Sequence, residues 1–317
     1  MTDISVIVVN WNTRDFVLEC VRTMLKNQGD YSLEIIVVDN ASEDDSVSSL
    51  KEQFPSVRLI ENKQNHGFAH ANNQGMEIAQ GRYLCLVNSD IKFIEDCLGP
   101  MLAYMEQSQD VGVLGPKLLW KDETLQLSCR TFPSLRNTLF PAMGLTCLFP
   151  GSAFFSSEHM GYFAHDRTLQ VDVLVGAFLM VRRQAYEQVG GMDESYFMYC
   201  EEVDWCKRMV NAKWKIVFFS DAKVIHYGGG SSCKEPQRFL REYYLSNLQY
   251  WKKYHPGLKN GLYHLILIVR LLFRISIWSV LCVCLFPKRQ HYKEKIKLAL
   301  SGLSPVLGRQ QCSSRPE

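Results

Sequence analysis

Two groups of acidic side chains have types and positions that could do chemistry on a phosphate-bearing substrate. Asp90 closes the segment 84–90, an apolar run with strand character that stops at Asn-Ser-Asp. The other group places three acids within four residues, at Glu201, Glu202 and Asp204. Carboxylate oxygens bind hard cations such as Mg²⁺ and Mn²⁺, and a carboxylate can also act as general base toward a hydroxyl. The sequence therefore predicts a metal-holding acid at Asp90 and a base among the later acids.

The crowding of the later acids itself favours a site. Like charges within one helical turn repel one another unless a cation or a proton relieves them. The alternative is a solvated acidic helix start, which the helix dipole stabilises. His226 adds to the metal hypothesis, because it follows a predicted strand and precedes the glycine run 228–230. Since glycines permit close backbone approach, we predict His226 as a second metal ligand or a phosphate contact rather than a structural histidine.

Polar residues near the ends of other predicted strands are candidates for holding a nucleoside. Asp39 ends the run 34–38 and could accept hydrogen bonds from a ribose hydroxyl or a base N–H, with a helix cap as the alternative role. The stretch 65–75 has two glycines and several amides beside a helix start, which suits close approach to a nucleotide. A plain loop with a helix cap explains that stretch equally well. The predicted nucleotide-binding set is Asn10, Asn12, Asp39, Asn65, Gly67, Asn72 and Asn88.

The elements that must position these residues alternate in the first third of the chain. Apolar periodicity predicts helices and strands there, the helices at 15–27 and 72–80 and the strands at 4–9, 34–38, 57–60 and 83–87. Strand–helix alternation implies a parallel sheet that binds ligands at the carboxyl ends of its strands. We therefore expect Asn10, Asp39 and Asp90 to lie along one edge of this sheet.

The second half of the chain is less regular. Its predicted elements are a helix at 201–211 and strands at 111–116, 171–181 and 215–225. Between the first two strands lies 128–168, a stretch rich in Phe, Pro and Ser. A loop of this length in a compact domain is usually functional, so we predict a lid or a wall that faces the acceptor.

Composition describes a globular chain of 317 residues, 47% hydrophobic and 21% charged. A net charge of +2 without an aromatic-basic patch argues against nucleic acid as a partner. The eleven cysteines are scattered singles without a C-x-x-C pair, which predicts reduced thiols rather than a disulfide framework. The N-terminus opens on a strand pattern without the marks of a signal peptide, so we expect a cytoplasmic protein.

Together these residues resemble the family 2 glycosyltransferases with the GT-A fold, and most closely their rhamnosyltransferase-like branch. The resemblance covers roughly residues 4–255. The blocks that carry it, in the family's order, are VVNWN at 8–12, VVDNAS at 37–42, NHGFA at 65–69, NSD at 88–90, GAF at 176–178, GMDE at 191–194, EEVDWCKR at 201–208 and IH at 225–226. The resemblance implies an α/β fold with a mixed, mainly parallel sheet flanked by helices.

The resemblance also implies an inverting, single-displacement transfer of a sugar, such as rhamnose, from a nucleotide diphosphate. The acceptor would be a hydroxyl of a glycan or lipid-linked molecule in cell-surface polysaccharide synthesis. Asp39 and the turn at Asn10 would hold the nucleoside. Asp90 and His226 would hold Mg²⁺ or Mn²⁺ on the diphosphate, and Glu202 would be the base.

Two positions depart from the family pattern. Glu202 stands where relatives usually have Asp, so its carboxylate reaches one methylene further, and Glu201 or Asp204 could take the role of base instead. The block at 88–90 reads Asn-Ser-Asp, where relatives read Asn-Pro-Asp or Asp-x-Asp, but Asp90 is kept. The sequence leaves the donor sugar, the linkage and the oligomeric state open.

The most apolar stretch of the chain, 262–286, lies beyond the motifs. Its length would let a helix span a bilayer, but Arg270 and Arg274 lie inside it, and a central arginine costs about 2.5–3.5 kcal/mol on insertion. Because basic residues flank it, we predict a helix on the cytoplasmic membrane surface, the alternatives being a buried packing helix or a true span. The predicted division of the chain is a GT-A domain at 1–255, a membrane-associating helical segment at 256–300 and a disordered tail at 301–317.

Two other functions are open at this stage. A nucleotidyltransferase also uses an α/β sheet and metal-binding acids, but it would need a basic, glycine-rich phosphate loop, and residues 10–15 carry only Arg14. A non-catalytic relative that binds nucleotide-sugars or glycans would not need the acids at positions 90, 202 and 204. The intact acids therefore favour the transferase.

Overall fold

The computed structural model describes residues 2–230, 232–284 and 288–308. The strands are β1 (Ile4–Asn10), β2 (Leu33–Asp39), β3 (Arg58–Glu61), β4 (Tyr83–Asn88), β5 (Ile91–Phe93), β6 (Val111–Leu119), β7 (Leu125–Gln126), β8 (Cys129–Arg130), β9 (Leu169–Val171), β10 (Val173–Leu174), β11 (Phe178–Arg182) and β12 (Lys215–His226). The helices are α1 (Arg14–Lys26), α2 (Ser46–Gln53), α3 (Phe68–Ile78), α4 (Leu98–Gln107), α5 (Leu135–Ala142), α6 (Leu145–Leu148), α7 (Arg183–Val189), α8 (Glu201–Asn211), α9 (Pro236–Tyr254), α10 (Leu258–Cys284) and α11 (Arg289–Val306).

One mixed sheet organises the fold. In the described ranges it has ten strands, with the order β3-β2-β1-β4-β11-β6-β12-β5, β7 beside β6 and β9 beside β12. The pairs β1–β2, β1–β4, β2–β3 and β6–β12 are parallel, and β11 runs antiparallel between β4 and β6. Helices cover both faces of the sheet. This confirms the predicted α/β class with a mixed sheet flanked by helices.

The β-branched runs of the first strands explain why they occupy the sheet centre. Successive side chains of a strand point to opposite faces. Ile7 packs in the hydrophobic cluster that includes α3, whereas Val6 and Val8 pack in the cluster that includes α1, and all three are fully buried. A strand buried on both faces reads as a continuous apolar run, which ends where Asn10 meets the sheet edge.

The register places the polar strand ends together. Asn10 lies opposite Asp39 in the β1–β2 pair, and Val9 lies opposite Asn88 in the β1–β4 pair. Asp90 follows two residues after Asn88, at the turn into β5. The structure therefore brings these residues to one edge, as expected from the strand–helix order.

Two predicted stretches differ in kind from those observed, and the helix predicted at 72–80 begins four residues earlier, at Phe68. The stretch 171–181 is not one strand but parts of β9, β10 and β11, because Asp172 turns to accept a hydrogen bond from the Phe132 amide at 3.1 Å and 175–177 leave the sheet for a cavity wall. The irregular stretch 128–168 contains β8, α5 and α6. α5 has eight residues and α6 has four, so each is too short for apolar spacing to reveal it from the sequence.

The C-terminal helices are tied to the sheet domain. The rings of Trp251 in α9 and Tyr263 in α10 stack with centroids 4.3 Å apart. Leu267 and Leu271 continue the buried face of α10, which packs against α9, α11 and α5. A predicted apolar helix is therefore present, beginning at Leu258 rather than at 262, and its last two predicted residues, 285 and 286, lie outside the described ranges.

The prediction of a disordered tail from residue 301 is wrong for its first residues, which are helical. α11 continues to Val306, and Ala299, Gly302 and Val306 are buried in it. A side chain at Gly302 would collide with the ring of Tyr244, so α11 approaches α9 at a distance that glycine permits. Residues 309–317 of the predicted tail lie outside the described ranges.

Candidate active site

A cavity of about 260 Å³ opens at the carboxyl ends of β1 and β4. The turn after β4, the loop before α3, the segment before β11, the start of α8 and the end of β12 all contribute to its wall. The predicted site residues that line it are Asn65, Gly67, Asn88, Asp90, Glu201, Glu202 and His226. The predicted site residues that lie outside its lining are Asn10, Asn12, Asp39, Asn72 and Asp204.

Asp90 and His226 face each other in this cavity. Nε2 of His226 lies 3.2 Å from Oδ1 of Asp90. Nδ1 of His226 lies 2.7 Å from Oε1 of Gln126, so a ring protonated at Nδ1 donates a hydrogen bond to this amide oxygen. A neutral ring would then turn the lone pair of Nε2 toward a carboxylate oxygen. Two acceptors that face one another need a proton or a cation to bridge them.

A divalent cation fits this donor set. A carboxylate oxygen and an imidazole nitrogen both suit Mn²⁺, and a cation of this kind at a nucleotide site takes much of its coordination from phosphate oxygens and water. Groups of three or more His, Cys, Asp and Glu side chains that could hold a metal do not occur in the described part of the chain. The protein would therefore supply two ligands, Asp90 and His226.

The sheet fixes the position of Asp90. Ile91 pairs with His226 across the antiparallel β5–β12 ladder, and the amide of Gly230 donates to Oδ2 of Asp90 at 3.3 Å. Burial raises the pKa of Asp90, but when a proton rather than a cation lies between the two side chains, the hydrogen bond and charge of His226, together with the Gly230 amide, outweigh burial and hold the pKa below its usual value. Asp90 is therefore ionised at neutral pH, as a metal ligand must be.

Asn10 and Asp39 form the support behind the cavity. Nδ2 of Asn10 donates to Oδ1 of Asp39 at 2.8 Å and to Oγ of Ser42 at 3.0 Å, and the Ser42 amide donates to Oδ2 of Asp39 at 2.8 Å. Both side chains are buried. The network holds the turns after β1 and β2 in place, so that the neighbouring Trp11 and Asn40 line the cavity.

Asn12 lies on the outer side of the same turn. Its φ is +54°, its side-chain oxygen accepts from the Glu43 amide at 2.7 Å, and its carbonyl accepts from Nζ of Lys234. It borders a second hollow, of about 340 Å³, together with Arg14 and Asp44. This hollow shares Gly230 with the main cavity, so the two are adjacent.

Gly67 lets the loop before α3 pack tightly against the opposite wall. Its φ is +93°, and a side chain there would collide with the carbonyl of Phe197. That carbonyl accepts a hydrogen bond from the Phe68 amide at 2.7 Å, and Oδ1 of Asn65 accepts from the Gly67 amide at 2.9 Å. Glycine is therefore required at this position for conformational and for steric reasons.

The two remaining predicted amides differ in their surroundings. Nδ2 of Asn72 donates to the Phe68 carbonyl at 2.9 Å within α3, so Asn72 is engaged by its own helix. Nδ2 of Asn88 lies 3.5 Å from Nε2 of His226, and the buried Oδ1 of Asn88 has no hydrogen-bond partner among the described residues. An unpaired buried oxygen is unfavourable, which makes Asn88 a suitable acceptor for a ligand hydroxyl.

The start of α8 directs two acids into the cavity. Tyr199 and Cys200, which precede the helix, both have positive φ, +70° and +67°. A positive φ is a strained conformation for residues other than glycine, and residues strained in this way occur most often at functional sites. Glu201 and Glu202 are 4% and 8% exposed, and Oε2 of each has no hydrogen-bond partner among the described residues.

The surroundings of Glu201 and Glu202 raise the pKa values of the two carboxyl groups by different amounts. Burial raises the pKa of both. The charge of Glu202 raises the pKa of Glu201 further, to well above its usual value, whereas Arg130 counteracts burial at Glu202. Glu202 is therefore the first of the pair to ionise, and Glu201 keeps its proton to higher pH. Paired acids whose pKa values are pushed apart can take different roles in catalysis.

Asp204 points away from the cavity. It is fully buried, and its Oδ2 accepts from Nε of Arg208 at 2.8 Å. Its Oδ1 accepts from Nζ of Lys253 at 2.7 Å and from the hydroxyl of Tyr254 at 2.8 Å. These contacts join α8 to α9, so Asp204 has a structural partner for each oxygen.

Replacing Asp204 by Asn is expected to lower the free energy of unfolding by about 3 kcal/mol, because it removes one partner of a buried charge network. Urea unfolding followed by circular dichroism measures the change. The folded variant is expected to keep its turnover number to within about threefold, since Asp204 does not reach the cavity. A stable but inactive variant would contradict this assignment.

Several residues of the site were not predicted from the sequence. Gln126 orients His226, Asn40 donates to the Gly67 carbonyl at 3.1 Å, and Trp11 packs against Phe239 with ring centroids 6.0 Å apart. Asn40 follows a strand-end acid and could have been found by its position. Gln126 lies in a two-residue strand and carries no sequence signal.

Comparison with known proteins identifies the family. The model described as "Glycosyl transferase family 2" matches residues 5–190. The N-acetylglucosaminyl-diphospho-decaprenol L-rhamnosyltransferase of Mycobacterium tuberculosis (strain CDC 1551 / Oshkosh) is 27% identical, over 71% of this chain and 76% of the relative. Rhamnosyltransferase WbbL of Escherichia coli (strain K12) is 26% identical, over 71% of this chain and 83% of the relative.

Among solved structures, the mannosyltransferase PcManGT from Pyrobaculum calidifontis, in complex with GDP-Man and Mn²⁺, aligns over 98% of this chain and 88% of its own, with a TM-score of 0.56 and 15% identity. GalNAc-T7, with UDP, GalNAc and Mn²⁺, aligns over 80% of this chain and 49% of its own, with a TM-score of 0.58 and 14% identity. These likenesses confirm the GT-A fold. Since the family model covers more than half of the sequence, from β1 to the end of α7, the chain belongs to glycosyl transferase family 2.

Proposed function

We propose that this glycosyltransferase moves a sugar from a nucleotide diphosphate to an acceptor hydroxyl with inversion at the anomeric carbon. The observation that carries the proposal is the cavity that holds both a metal-ligand pair, Asp90 and His226, and an ionisable acid, Glu202. Such a cavity can bind the leaving group on one side and deprotonate the acceptor on the other. We assign the donor diphosphate to the side of Asp90 and the acceptor to the side of Glu202.

The donor side is formed by the sheet edge. Asp90 and His226 would hold Mg²⁺ or Mn²⁺, which when bound neutralises the charge that develops on the departing diphosphate. Asn65, Gly67 and Asn88 would contact the nucleotide from the cavity wall. Asn10 and Asp39 are proposed to act through the turns they support, which place Trp11 and Asn40 at the cavity.

The acceptor side depends on Glu202. The acceptor oxygen attacks the anomeric carbon, the bond from that carbon to the diphosphate oxygen breaks, and the hydroxyl proton passes to the Glu202 carboxylate. Glu201, which keeps its proton to higher pH, is proposed to donate a hydrogen bond from its carboxyl to the substrate. Asp204 is proposed as a structural residue rather than as the base.

The names of the relatives support a narrower class of reaction. Two of them are rhamnosyltransferases, one of which acts on a sugar joined by a diphosphate to decaprenol. We infer rhamnose, or a similar hexose derivative, as the donor sugar. A glycan or lipid-linked acceptor in cell-surface polysaccharide synthesis follows from the same likeness.

The C-terminal helices support a location at the membrane surface. α10 is long and apolar enough to cross a bilayer, and only 11% of its most apolar 18-residue stretch is buried in the structure. Leu265, Val269 and Phe273 on it are more than half exposed. The segment that contains α5 and α6, with the turns after each helix, adds exposed apolar side chains at Met143, Leu148, Phe149 and Phe154. We infer a peripheral enzyme at the cytoplasmic face, which inserts this apolar surface among the lipids.

Changing Leu265, Val269 and Phe273 together to Ser is expected to reduce binding to phosphatidylglycerol vesicles by at least about 10³-fold, because each buried apolar side chain contributes about 1.5–3 kcal/mol and about 1.4 kcal/mol is a factor of ten. Co-sedimentation measures the binding. Point changes are preferable to deletion of α10, which would uncover the Trp251–Tyr263 stack. The control is Leu25→Ser, in α1, and vesicle binding that survives the triple change would refute the surface assignment.

A donor screen tests the proposed reaction directly. Purified full-length protein is incubated with a panel of nucleotide-sugars, with and without Mn²⁺, and the released phosphates are identified. A glycosyltransferase releases the nucleoside diphosphate, and with a suitable acceptor forms a product of inverted anomeric configuration. Release of sugar 1-phosphate, with the nucleoside monophosphate passed to an acceptor, would indicate a nucleotidyltransferase, and binding without release would indicate a non-catalytic relative.

A further inference from the structure

A pair of buried hydroxyl groups joins the turn that carries Asp90 to the turn that follows β1. Oγ of Ser89, between β4 and β5, lies 2.8 Å from Oγ1 of Thr13, which immediately precedes α1. The two residues are 76 positions apart in the chain, and both side chains are buried. Ser89 lines the cavity next to Asp90. The hydroxyl pair is therefore a direct link between the Asp90 turn and the neighbouring strand end.

The hydrogen bonds around Thr13 have one consistent direction. Nδ2 of Asn10 donates to the Asp39 carboxylate, and Oδ1 of Asn10 accepts from Oγ1 of Thr13 at 2.7 Å. A hydroxyl group has one hydrogen to donate. Since Thr13 gives its hydrogen to Asn10, the hydroxyl of Ser89 donates to Oγ1 of Thr13. The chain of hydrogen bonds therefore runs without a break from Ser89 to Asp39.

Thr13 also packs where the Asp90 carboxylate is held. The amide of Gly230 donates to Oδ2 of Asp90 at 3.3 Å. A Cβ atom at position 230 would lie 3.4 Å from that oxygen and 3.4 Å from Cγ2 of Thr13. Thr13 and the Asp90 carboxylate therefore flank the same glycine. A shift of the Asp90 turn away from β1 would break the hydrogen bond of Ser89 to Thr13.

The link acts on the opposite side of Asp90 from its other contacts. The contacts of the Asp90 carboxylate with His226 and with the Gly230 amide come from the end of β12 and the loop after it. The Ser89 hydroxyl restrains the same turn from the side of β1. A metal site with few protein ligands depends on neighbours that hold those ligands in place before the ion arrives.

We propose that Ser89 is a positioning residue for the metal site: its hydroxyl, bonded to Thr13, holds the Asp90 turn at a fixed distance from the turn that ends β1. This assignment rests on the proposed function, which places a divalent cation at Asp90. The turn after β1 belongs to the support behind the cavity, which places part of the wall assigned to the nucleotide. The hydroxyl thus fixes the metal ligand relative to that wall, and its removal should weaken metal binding more than it slows the chemical step.

Binding of Mn²⁺ alone to the full-length protein tests this role without using catalysis. The ion is titrated in, and free Mn²⁺ is measured by electron paramagnetic resonance. Ser89→Ala is expected to raise the dissociation constant about three- to tenfold, the loss that one neutral hydrogen bond explains. In the transfer assay this variant should need a correspondingly higher Mn²⁺ concentration, while kcat at saturating Mn²⁺ stays within about threefold of wild type.

Thr13 offers a matched pair of variants. Thr13→Val keeps the shape of the side chain without the hydroxyl, so it should weaken Mn²⁺ binding at least as much as Ser89→Ala. Thr13→Ser keeps the hydroxyl and should stay within about twofold of wild type. The double variant of Ser89→Ala and Thr13→Val should bind Mn²⁺ about as weakly as Thr13→Val alone, because both changes remove the same bond. Independent effects that multiply, or a loss in Ser89→Ala that Thr13→Val does not reproduce, would overturn the positioning role.

Ser5→Ala separates positioning from a general loss of stability. Oγ of Ser5 is buried near the other end of β1, where it accepts from the Gly81 amide at 2.7 Å, and Ser5 lies outside the cavity lining. This variant should melt at a lower temperature than wild type, yet its dissociation constant for Mn²⁺ should change less than about twofold. An equal weakening of Mn²⁺ binding in Ser5→Ala and Ser89→Ala would overturn the inference.

The inference and the proposed function fail in different ways. If Mn²⁺ binding depends on Ser89 but no nucleotide-sugar of the donor panel is turned over, the proposed function fails alone. If sugar is transferred and Mn²⁺ binds equally well with and without the Ser89 hydroxyl, the positioning role fails alone. A wild-type protein that binds no Mn²⁺ would overturn the positioning role together with the metal assignment.

Discussion

Asp90→Asn is expected to lower kcat/KM for sugar transfer by about 10³-fold, or about 4 kcal/mol in transition-state stabilisation. The amide keeps the shape of the side chain but loses the charge that would hold a divalent cation beside His226. It also leaves Nε2 of His226, 3.2 Å away, without a carboxylate partner. Steady-state kinetics over a range of Mn²⁺ concentrations measure the loss and show whether the dependence on metal is weakened.

The matched control is Asp110→Asn. Asp110 is an exposed carboxylate that pairs with Lys215 at the far end of β12, outside the cavity, so the change should leave kcat/KM within about twofold. Nucleotide diphosphate binding, measured by calorimetry with Mn²⁺, should weaken in Asp90→Asn and not in the control. An Asp90→Asn enzyme that keeps its rate and its metal response would exclude the metal assignment.

Glu202→Gln is expected to reduce kcat by about 10²–10⁴-fold, the range that a positioned general base contributes. Burial raises the pKa of Glu202 above its ordinary value of 4.5, and only the ionised form can accept the acceptor's proton. The rate of the wild-type enzyme should therefore fall as pH drops through this raised pKa. In Glu202→Gln that acid limb should disappear along with most of the rate, which a pH profile of kcat will show.

Glu201→Gln distinguishes the neighbouring acid from the base. Since Glu201 is proposed to act in its protonated form, the neutral amide should retain more activity than Glu202→Gln. It should also unfold at a higher temperature than wild type at pH 8. A carboxyl whose pKa is raised on folding favours the native state while protonated, and this stabilisation is lost as pH rises. If Glu201→Gln abolishes transfer and Glu202→Gln does not, the two roles are reversed.

The grouping of polar residues at the sheet edge was predictable, because the sequence shows at which end of each strand the polar residues lie. Apolar runs with strand character predicted β1, β2 and β4, and the polar residues that end them had to meet once the strands were parallel. The register of Asn10 opposite Asp39 confirms this placement. That the two side chains bond each other, leaving Trp11 and Asn40 at the cavity, was not predictable, since sequence does not show which of several adjacent polar groups pair.

The acids of α8 show a second limit. Sequence grouped Glu201, Glu202 and Asp204 within one turn but could not tell which of them faces the cavity. Their division depends on Lys253 and Tyr254, which lie in another helix about fifty residues later and both donate to Oδ1 of Asp204, while Arg208 pairs with its Oδ2. Partners this far apart in the chain become neighbours only through packing, which no local spacing records.

The pairing of β5 with β12 has a consequence for when the protein becomes active during its synthesis. Asp90 and Gly230 are 140 residues apart in the chain, and β12 must enter between β6 and β5 before His226 meets Asp90. A nascent chain that has reached residue 190 has made the whole family-matched part and the donor edge, yet it lacks Glu202 and His226. The last residues of the proposed site therefore leave the ribosome late, and we expect a product terminated before residue 201, which lacks both Glu202 and His226, to be unable to transfer a sugar.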